Sequence, residues 1–366
     1  MAQLDELAAQ LDRLIAFDSG PFPVISLYLN LQPGDTGRDR FGPFLRKELD
    51  ERVRTYAPSG PEHESLMKDA DKIRNVTTHL EGSSNGLALF ACSAADLFET
   101  VQLAAPINEH RLYISDEPHL YPLARILDEY PQYIALLADT NSARILVFAA
   151  NTIEKTDSIQ GVKTKRHKMG GWSQARYQRH VENYHVHHAK EVVDAVARIA
   201  RDDSIDKIVV SGDPNIVPLL REQMPKDIAE RVIDMVRLDT KAPEHEVLAA
   251  TIEALREKDA RTDRERVDAL LTAYRGNGLA CAGVEATLKA FELGQVEELV
   301  ITAAPETIDA GKTGGAQQPG APSPSERAAD ALIAQARNTA ARIRFIEDSS
   351  LLASIGGVGA FLRFKL

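Results

Sequence analysis

The sequence predicts a multidomain chain that combines α/β and α+β parts. Strand-length apolar runs alternate with stretches of helical period along almost the whole chain. Its 366 residues exceed what a single core usually organises, so two or three domains are expected, each able to bury its own interior. Hydrophobic residues at 44% and charged residues at 27% fit a globular chain rather than a fibrous or disordered one.

Residues 1–128 read as an α+β domain. An amphipathic helix opens it, and the alternation over 24–29 predicts a strand. Helices are expected near 44–56 and 63–79, with short strands near 87–91, 97–103 and 111–114. His63, His79, His110 and His119 are scattered through this part and form no spaced ligand set. They read as surface or satisfied histidines.

Residues 129–262 form the second domain. Two apolar runs, 133–138 and 143–149, are joined by Asp139-Thr140-Asn141-Ser142, which reads as a tight hairpin. A third strand is expected over 153–159. Ala189, Val192, Val193, Val196 and Ile199 then recur with helical period, so a helix over 173–201 buries that stripe. A buried strand at 208–210 ends at Gly212-Asp213-Pro214, where Asp213 can cap the next helix. A last strand is expected at 232–238.

A long polar helix over 244–274 leads to the third domain, 263–366. A helix over 283–293 is stopped by Gly294, and a strand over 299–302 follows. Residues 304–325 hold Gly311, Gly314, Gly315, Pro319, Gly320, Pro322 and Pro324, the composition of a disordered insertion. A helix over 326–341, a strand over 342–347 and the glycine-rich 356–364 complete the chain.

Charge and cysteine usage exclude several classes. Cys92 and Cys281 form no spaced pair, so neither a disulfide framework nor a zinc finger is indicated. Asp5, Glu6 and Asp12 interrupt the N-terminal helix, which is therefore not a signal peptide. No apolar run reaches membrane-spanning length, and a cytoplasmic protein is expected. A net charge of -11 argues against indiscriminate coating of nucleic acid.

Against that acidity, residues 161–188 reverse the local sign. Lys163, Lys165, Arg166, Lys168, Arg176 and Arg179 precede the first acidic residue, Glu182. The chain's only tryptophan, Trp172, follows Gly170-Gly171. Paired glycines let a backbone approach a ligand closely. Ser173 can cap the helix whose N-terminal amides favour an anion, and an indole offers a stacking surface for a base. The candidate partner is RNA. The plain alternatives are a solvated basic loop, with Trp172 as a hydrophobic staple at the helix start.

Three further motifs are weaker. His185 and His188 extend the buried stripe while His180, Tyr184 and His187 share the neighbouring face. A metal site there would need carboxylate or cysteine ligands that are not nearby, so core or phosphate-facing histidines are the simpler reading. Gly278 to Gly283 has the glycine spacing of a phosphate loop, but Val284-Glu285 stands where Lys-Ser/Thr belongs, which removes a nucleotide site. Asp139 could join a two-metal nuclease centre, yet no convergent carboxylates accompany it. No metal or cofactor is called for.

The stretch His-Lys-Met-Gly-Gly-Trp-Ser-Gln-Ala-Arg at 167–176 resembles the Gly-Gly-Gln loop of eukaryotic and archaeal class 1 release factors. Gly283-Val284-Glu285-Ala286-Thr287-Leu288 and the strand near Val300 are similar to the opening of their third domain. Ile355-Gly356-Gly357-Val358-Gly359-Ala360-Phe361 is similar to its close. The chain is thus identified as a member of the bacterial branch of the archaeo-eukaryotic release factor and Pelota superfamily, which includes the hibernation factor Balon. The resemblance covers the middle and third domains and is weak in the first.

The resemblance implies an RNase H-like middle domain that reaches the peptidyl-transferase centre. It implies a third domain, an α/β/α sandwich of the kind found in kink-turn-binding ribosomal proteins, that contacts the ribosome or a translational GTPase such as elongation factor Tu. The expected activity is occupation of the ribosomal A site with peptidyl-tRNA ester hydrolysis; the alternative is non-enzymatic rescue or hibernation. Lys163, Lys165, Arg166, Lys168, Arg176 and Arg179 would meet phosphates of ribosomal RNA or P-site tRNA, with Gly170, Gly171 and Trp172 at the point of closest approach. Trp172 occupies the place of the release-factor glutamine, leaving Gln174 as the candidate that orients water. The Asn-Ile-Lys-Ser stop-codon motif is absent.

Overall fold

Strand order decides the class of the middle domain. β5 (Tyr133–Ala138), β6 (Ser142–Ala149) and β7 (Thr152–Gln160) form an antiparallel meander, and β8 (Ile208–Gly212) and β9 (Val232–Val236) continue parallel to β5, giving the order β7-β6-β5-β8-β9. This mixed sheet is RNase H-like. The computed structural model describes residues 2–32, 41–80, 84–160, 172–311 and 320–365, with side chains of 2–4 and 172–180 outside that description.

Successive residues of β5 serve opposite cores, which is why Tyr-Ile-Ala-Leu-Leu-Ala is apolar without interruption. Ile134, Leu136 and Ala138 join Ile145, Val147 and Val210 beneath the helix α5 (Trp172–Asp202). Tyr133, Ala135 and Leu137 join Leu146, Phe148 and Val209 beneath the first part of α8 (Glu244–Arg275), at Val247, Ala254 and Leu255. The short helices α6 (Val217–Gln223) and α7 (Lys226–Ala229) add Leu220 and Ile228 to the first core. Each large side chain buried in this way contributes about 1.5–3 kcal/mol.

Two compact units partition the chain: residues 131–262 with the first four residues, and residues 5–130 together with 263–366. In the second unit, β1 (Val24–Asn30), β2 (Gly86–Cys92), β3 (Leu97–Leu103) and β4 (Arg111–Ser115) form an antiparallel sheet of order β3-β2-β1-β4. The helices α2 (Phe41–Val53) and α3 (Pro61–Thr78) cover one face through Leu45, Leu49, Leu66 and Ile73. Tyr28 alternates with Leu27 and Leu29 and lies edge-on to Phe90 on the other face. α1 (Ala2–Ile15) buries Leu7, Leu11 and Leu14. α4 (Tyr121–Glu129) is not among the helices expected from the sequence.

The remaining strands form the mixed sheet β10-β13-β11-β12, from β10 (Ala280–Ala282), β11 (Val296–Thr302), β12 (Arg342–Ile346) and β13 (Val358–Leu362). α8 contributes Val267 and Leu270 to a core with Val300 and Ile346, while α9 (Val284–Glu292) and α10 (Pro324–Asn338) pack against each other and the strands. The glycines of the closing motif have separate jobs. Gly356 and Gly357 turn with φ of 73° and 82°, and a Cβ on Gly359 would sit 2.9 Å from the Cys281 carbonyl oxygen.

Within the Gly/Pro-rich insertion, residues 312–319 lie outside those described. Pro305–Thr307 form a 3-10 turn, and Ser323 and Glu326 close a capping box at the start of α10. The Ser-Pro-Ser-Glu pattern specifies that box, and the surrounding low-complexity composition masks it.

Candidate nucleic-acid interface

The basic segment lies between an edge strand and a long helix. β7 ends at Gln160 and α5 starts at Trp172. Lys163, Lys165, Arg166, Lys168, Gly170 and Gly171 lie outside the described residues. Trp172, Gln174, Arg176 and Arg179 fall on the first turns of α5, where the backbone alone is described.

The direction of α5 over β7 is fixed by two ion pairs. Lys155 Nζ is 2.5 Å from Asp203, and Arg198 is 3.9 Å from Asp157, so helix and strand run antiparallel. Ala189, Val192, Val193, Val196 and Ala200 are buried against the sheet. From 181 to 187 every residue is exposed or half-buried. The helix is therefore anchored by its C-terminal half, while residues 181–187 stand largely outside the core. The first turn of α5 carries the partial positive charge of a helix N-terminus.

The histidines separate by environment. His188 is buried, and neither ring nitrogen has a hydrogen-bond partner among the described residues. His185 is half-buried, and His187 is exposed with Nδ1 3.5 Å from Glu191. Among the described residues, no group of three His, Cys, Asp or Glu side chains is spaced to hold a metal.

Asp139 is a turn organiser. Its Oδ1 accepts the N–H groups of Asn141 and Ser142, both at 2.7 Å, and its Oδ2 accepts the hydroxyls of Ser142 at 2.9 Å and Thr240 at 3.1 Å. Four protein donors occupy the lone pairs that a catalytic metal would require. Asp213 makes an Asx turn with the Asn215 N–H at 2.6 Å, and the helix expected there starts later, at Val217. The glycine-spaced 278–283 segment contains β10, paired with β13, instead of a phosphate-binding turn.

Sequence reasoning missed a polar seam in the second unit. Tyr113 Oη donates to Glu326 at 2.8 Å, Tyr121 Oη donates to the Thr302 carbonyl, and Arg125 bridges the Ala303 carbonyl and Glu347. Over two hundred residues separate Tyr113 from Glu326, and no local pattern links them.

Residues 118–256 match the model of bacterial archaeo-eukaryotic release factor family 10, and residues 261–366 match eRF1 domain 3. Peptide chain release factor subunit 1 of Methanopyrus kandleri is 26% identical over 234 residues, which are 61% of this chain and 57% of that protein. The chain thus spans little more than half the length of that relative. An uncharacterised protein of Mycobacterium tuberculosis is 25% identical over 369 residues, 96% of each chain. An archaeal Pelota, solved in a model of ribosome-bound Pelota and ABCE1, aligns over 99% of this chain and 94% of its own at 14% identity and a TM-score of 0.45. The chain belongs to the bacterial branch of the archaeo-eukaryotic release factor superfamily.

Proposed function

We propose that this protein is a cytoplasmic, ribosome-associated translation factor that occupies the A site and directs residues 161–180 toward the peptidyl-transferase centre. The observation that carries the reading is the sequence around Gly170-Gly171 mounted between β7 and the free end of α5, in a chain that is otherwise acidic. Lys165, Arg166, Lys168, Arg176 and Arg179 engage phosphates of ribosomal RNA or the P-site tRNA. Gly170 and Gly171 allow close approach, Trp172 stacks, and the third domain meets the ribosome or a translational GTPase such as elongation factor Tu.

In the hydrolytic version, Gln174 orients water against the peptidyl-tRNA ester. A specific observation favours the non-enzymatic version, in which the protein blocks the A site of stalled or idle ribosomes. α5 already begins at Trp172, so Gln174 sits within its first turn and not on the connecting loop. Displacement by about 1 Å costs on the order of a hundredfold in rate.

Two measurements test the reading. Ribosome binding should weaken with salt along a log–log slope of about -3 to -4 if five phosphates are engaged, and a flat dependence removes the loop as an RNA contact. Single-turnover release from ribosome-bound peptidyl-tRNA separates the versions. Release by the wild type that is lost in Gln174→Ala establishes hydrolysis; absence of release from both proteins establishes the blocker.

A further inference from the structure

We propose that the second unit holds a binding site for a small organic cation, an amine or guanidine, in the cavity bounded by β4, α4 and the Pro305–Thr307 turn, with His119 at its floor and Glu306 at its rim. The inference does not depend on the ribosomal reading above, since none of its residues belongs to the Gly170-Gly171 segment or to α5.

The cavity is the first support. Its volume is about 300 Å³, at the lower end of the range for small-molecule sites. Ile107, Pro122, Ile126 and Pro305 give it apolar walls, and its polar groups gather at the buried floor and the exposed rim.

A buried histidine is the second support. His119 is 1% exposed, and its Nδ1 donates to Asp330 at 2.6 Å. A carboxylate only accepts, so the ring proton is on Nδ1 and Nε2 is left with a lone pair. Nε2 makes no hydrogen bond among the described residues, and unlike both nitrogens of His188 it is not closed to solvent. It therefore looks into the cavity that His119 lines.

Hydrogen-bond direction is the third support. Tyr28 Oη donates to the His119 carbonyl at 2.6 Å, Tyr113 Oη to Glu326 at 2.8 Å and Tyr121 Oη to the Thr302 carbonyl. Each hydroxyl has its only proton engaged, so the floor presents lone pairs and no donor. Burial pushes the Tyr113 hydroxyl up to about 12, which keeps that proton in place. Arg125 Nε is an unfilled donor, but it is closed to solvent and lies 4.0 Å from Glu129. A ligand that reaches the floor must bring N–H groups of its own.

Charge is the fourth support. Glu109, Glu129, Glu306 and Glu326 line the cavity against two guanidinium groups, Arg111 and Arg125. Both guanidiniums are already engaged, Arg111 with Glu109 at 3.2 Å and Glu326 at 3.7 Å, and Arg125 with Glu347 at 2.9 Å. Burial pushes the Glu326 carboxyl up, but the Ser323 N–H and the Tyr113 hydroxyl outweigh this and hold it below its ordinary value. Glu306 is exposed and has no ion-pair partner among the described residues. Lone pairs at the floor and a carboxylate at the rim together select a cation that donates hydrogen bonds.

Isothermal titration of the full-length protein with agmatine and spermidine tests the site, with N-acetyl-arginine amide as a third probe. Saturable binding of agmatine or spermidine is expected, with a higher melting temperature at saturating ligand. Glu306→Gln should weaken it about tenfold, the loss of one charge-assisted hydrogen bond. His119→Asn keeps a donor toward Asp330 but removes the Nε2 lone pair, and it should weaken binding by a similar factor. Ala304→Phe, which fills the cavity, should abolish it. Melting curves without ligand check the folding of each variant, and the surface change Glu306→Gln decides the matter if the other two do not fold. Heats that fail to saturate with both amines overturn the inference. So does saturable binding that Glu306→Gln leaves unchanged, which describes attraction to acidic surface elsewhere on a chain of net charge -11. Binding of N-acetyl-arginine amide alone also overturns it, in favour of an arginine side chain presented by a partner protein.

Discussion

Asp330 of α10 accepts a hydrogen bond from His119 Nδ1 at 2.6 Å, and its other oxygen accepts the N–H groups of Leu120 and Tyr121 at 2.9 and 2.8 Å. These last two are the opening amides of α4, whose N-cap position, Leu120, has no side-chain acceptor. A helix near residue 121 is thus capped by a carboxylate more than two hundred residues later. His119 is buried, so its ring depends on the same group.

Replacing that carboxylate should therefore cost more than an ordinary cap. Asp330→Ala removes three acceptor contacts and leaves a buried imidazole and two amides unsatisfied, a loss of about 2–4 kcal/mol. Asp330→Asn, which keeps one carbonyl acceptor, should lie between wild type and alanine. Urea midpoints at constant slope give the measurement, and equal midpoints for all three proteins would show that water replaces the carboxylate at no cost.

Asp139 gives a pH signature. Burial pushes its carboxyl up, but the Asn141 N–H, the Ser142 hydroxyl and N–H and the Thr240 hydroxyl outweigh this and hold it below its ordinary value. A carboxyl depressed in the folded state adds stability that is complete above its unfolded pKa, about 3.9, and is lost as pH falls through the folded value. The stability gap between wild type and Asp139→Asn should be widest near neutrality and shrink below about pH 4. A gap that stays constant from pH 7 to 3 would contradict this role.

The hairpin at 139–142, the alternation of β5 and the buried stripe of α5 were legible because each is written in consecutive or periodic residues. So was the third-domain glycine motif. The seam of Tyr113, His119, Glu326 and Asp330 was not, since its partners lie far apart and each looks like a surface group by itself. β10 was hidden because three residues, Ala-Cys-Ala, carry almost no strand signal and flanking glycines mimic a phosphate loop. For the candidate interface, charge and glycine spacing mark the segment in the sequence, while the burial of His188 with one side of α5 emerged only with the sheet in place.

Glu298 is a buried acid inside β11, and its environment makes the arginines around it unequal to lysine. Arg266 reaches it through Nε at 3.0 Å and through Nη2, Arg344 Nε lies at 3.2 Å, and the Arg266 guanidinium also stacks 3.8 Å above the Phe361 ring. Glu298→Ala should cost about 3–5 kcal/mol, because two guanidinium groups lose a largely desolvated acceptor. Arg266→Lys keeps the charge but loses both the fork and the planar stack, so it should be clearly destabilising. A double-mutant cycle between positions 266 and 298 should return a coupling of about 1–3 kcal/mol, and additivity would mean the acid is held mainly by Arg344.

Gly359 tests whether the closing motif is a packing requirement. It lies in β13 opposite Ala282, and an added Cβ would meet the Cys281 carbonyl oxygen at 2.9 Å, Leu270 Cδ2 at 3.0 Å and Ile355 Cδ1 at 3.2 Å. Two of these neighbours are side-chain ends that can move, but the nearest is backbone in a paired strand. Gly359→Ala should therefore push β10 away from β13 and cost about 1–3 kcal/mol, the range for overpacking a formed core. The neighbouring Gly283 has a φ of 84° but nothing within 4 Å of its Cβ, so Gly283→Ala carries backbone strain without a clash. Amide exchange separates the two causes. Gly359→Ala should expose the Cys281–Ala360 register across β10 and β13, whereas Gly283→Ala should loosen the start of α9 and leave that register protected. The same exchange pattern in both variants would mean that the glycines share a single conformational role, and the packing explanation for Gly359 would be wrong.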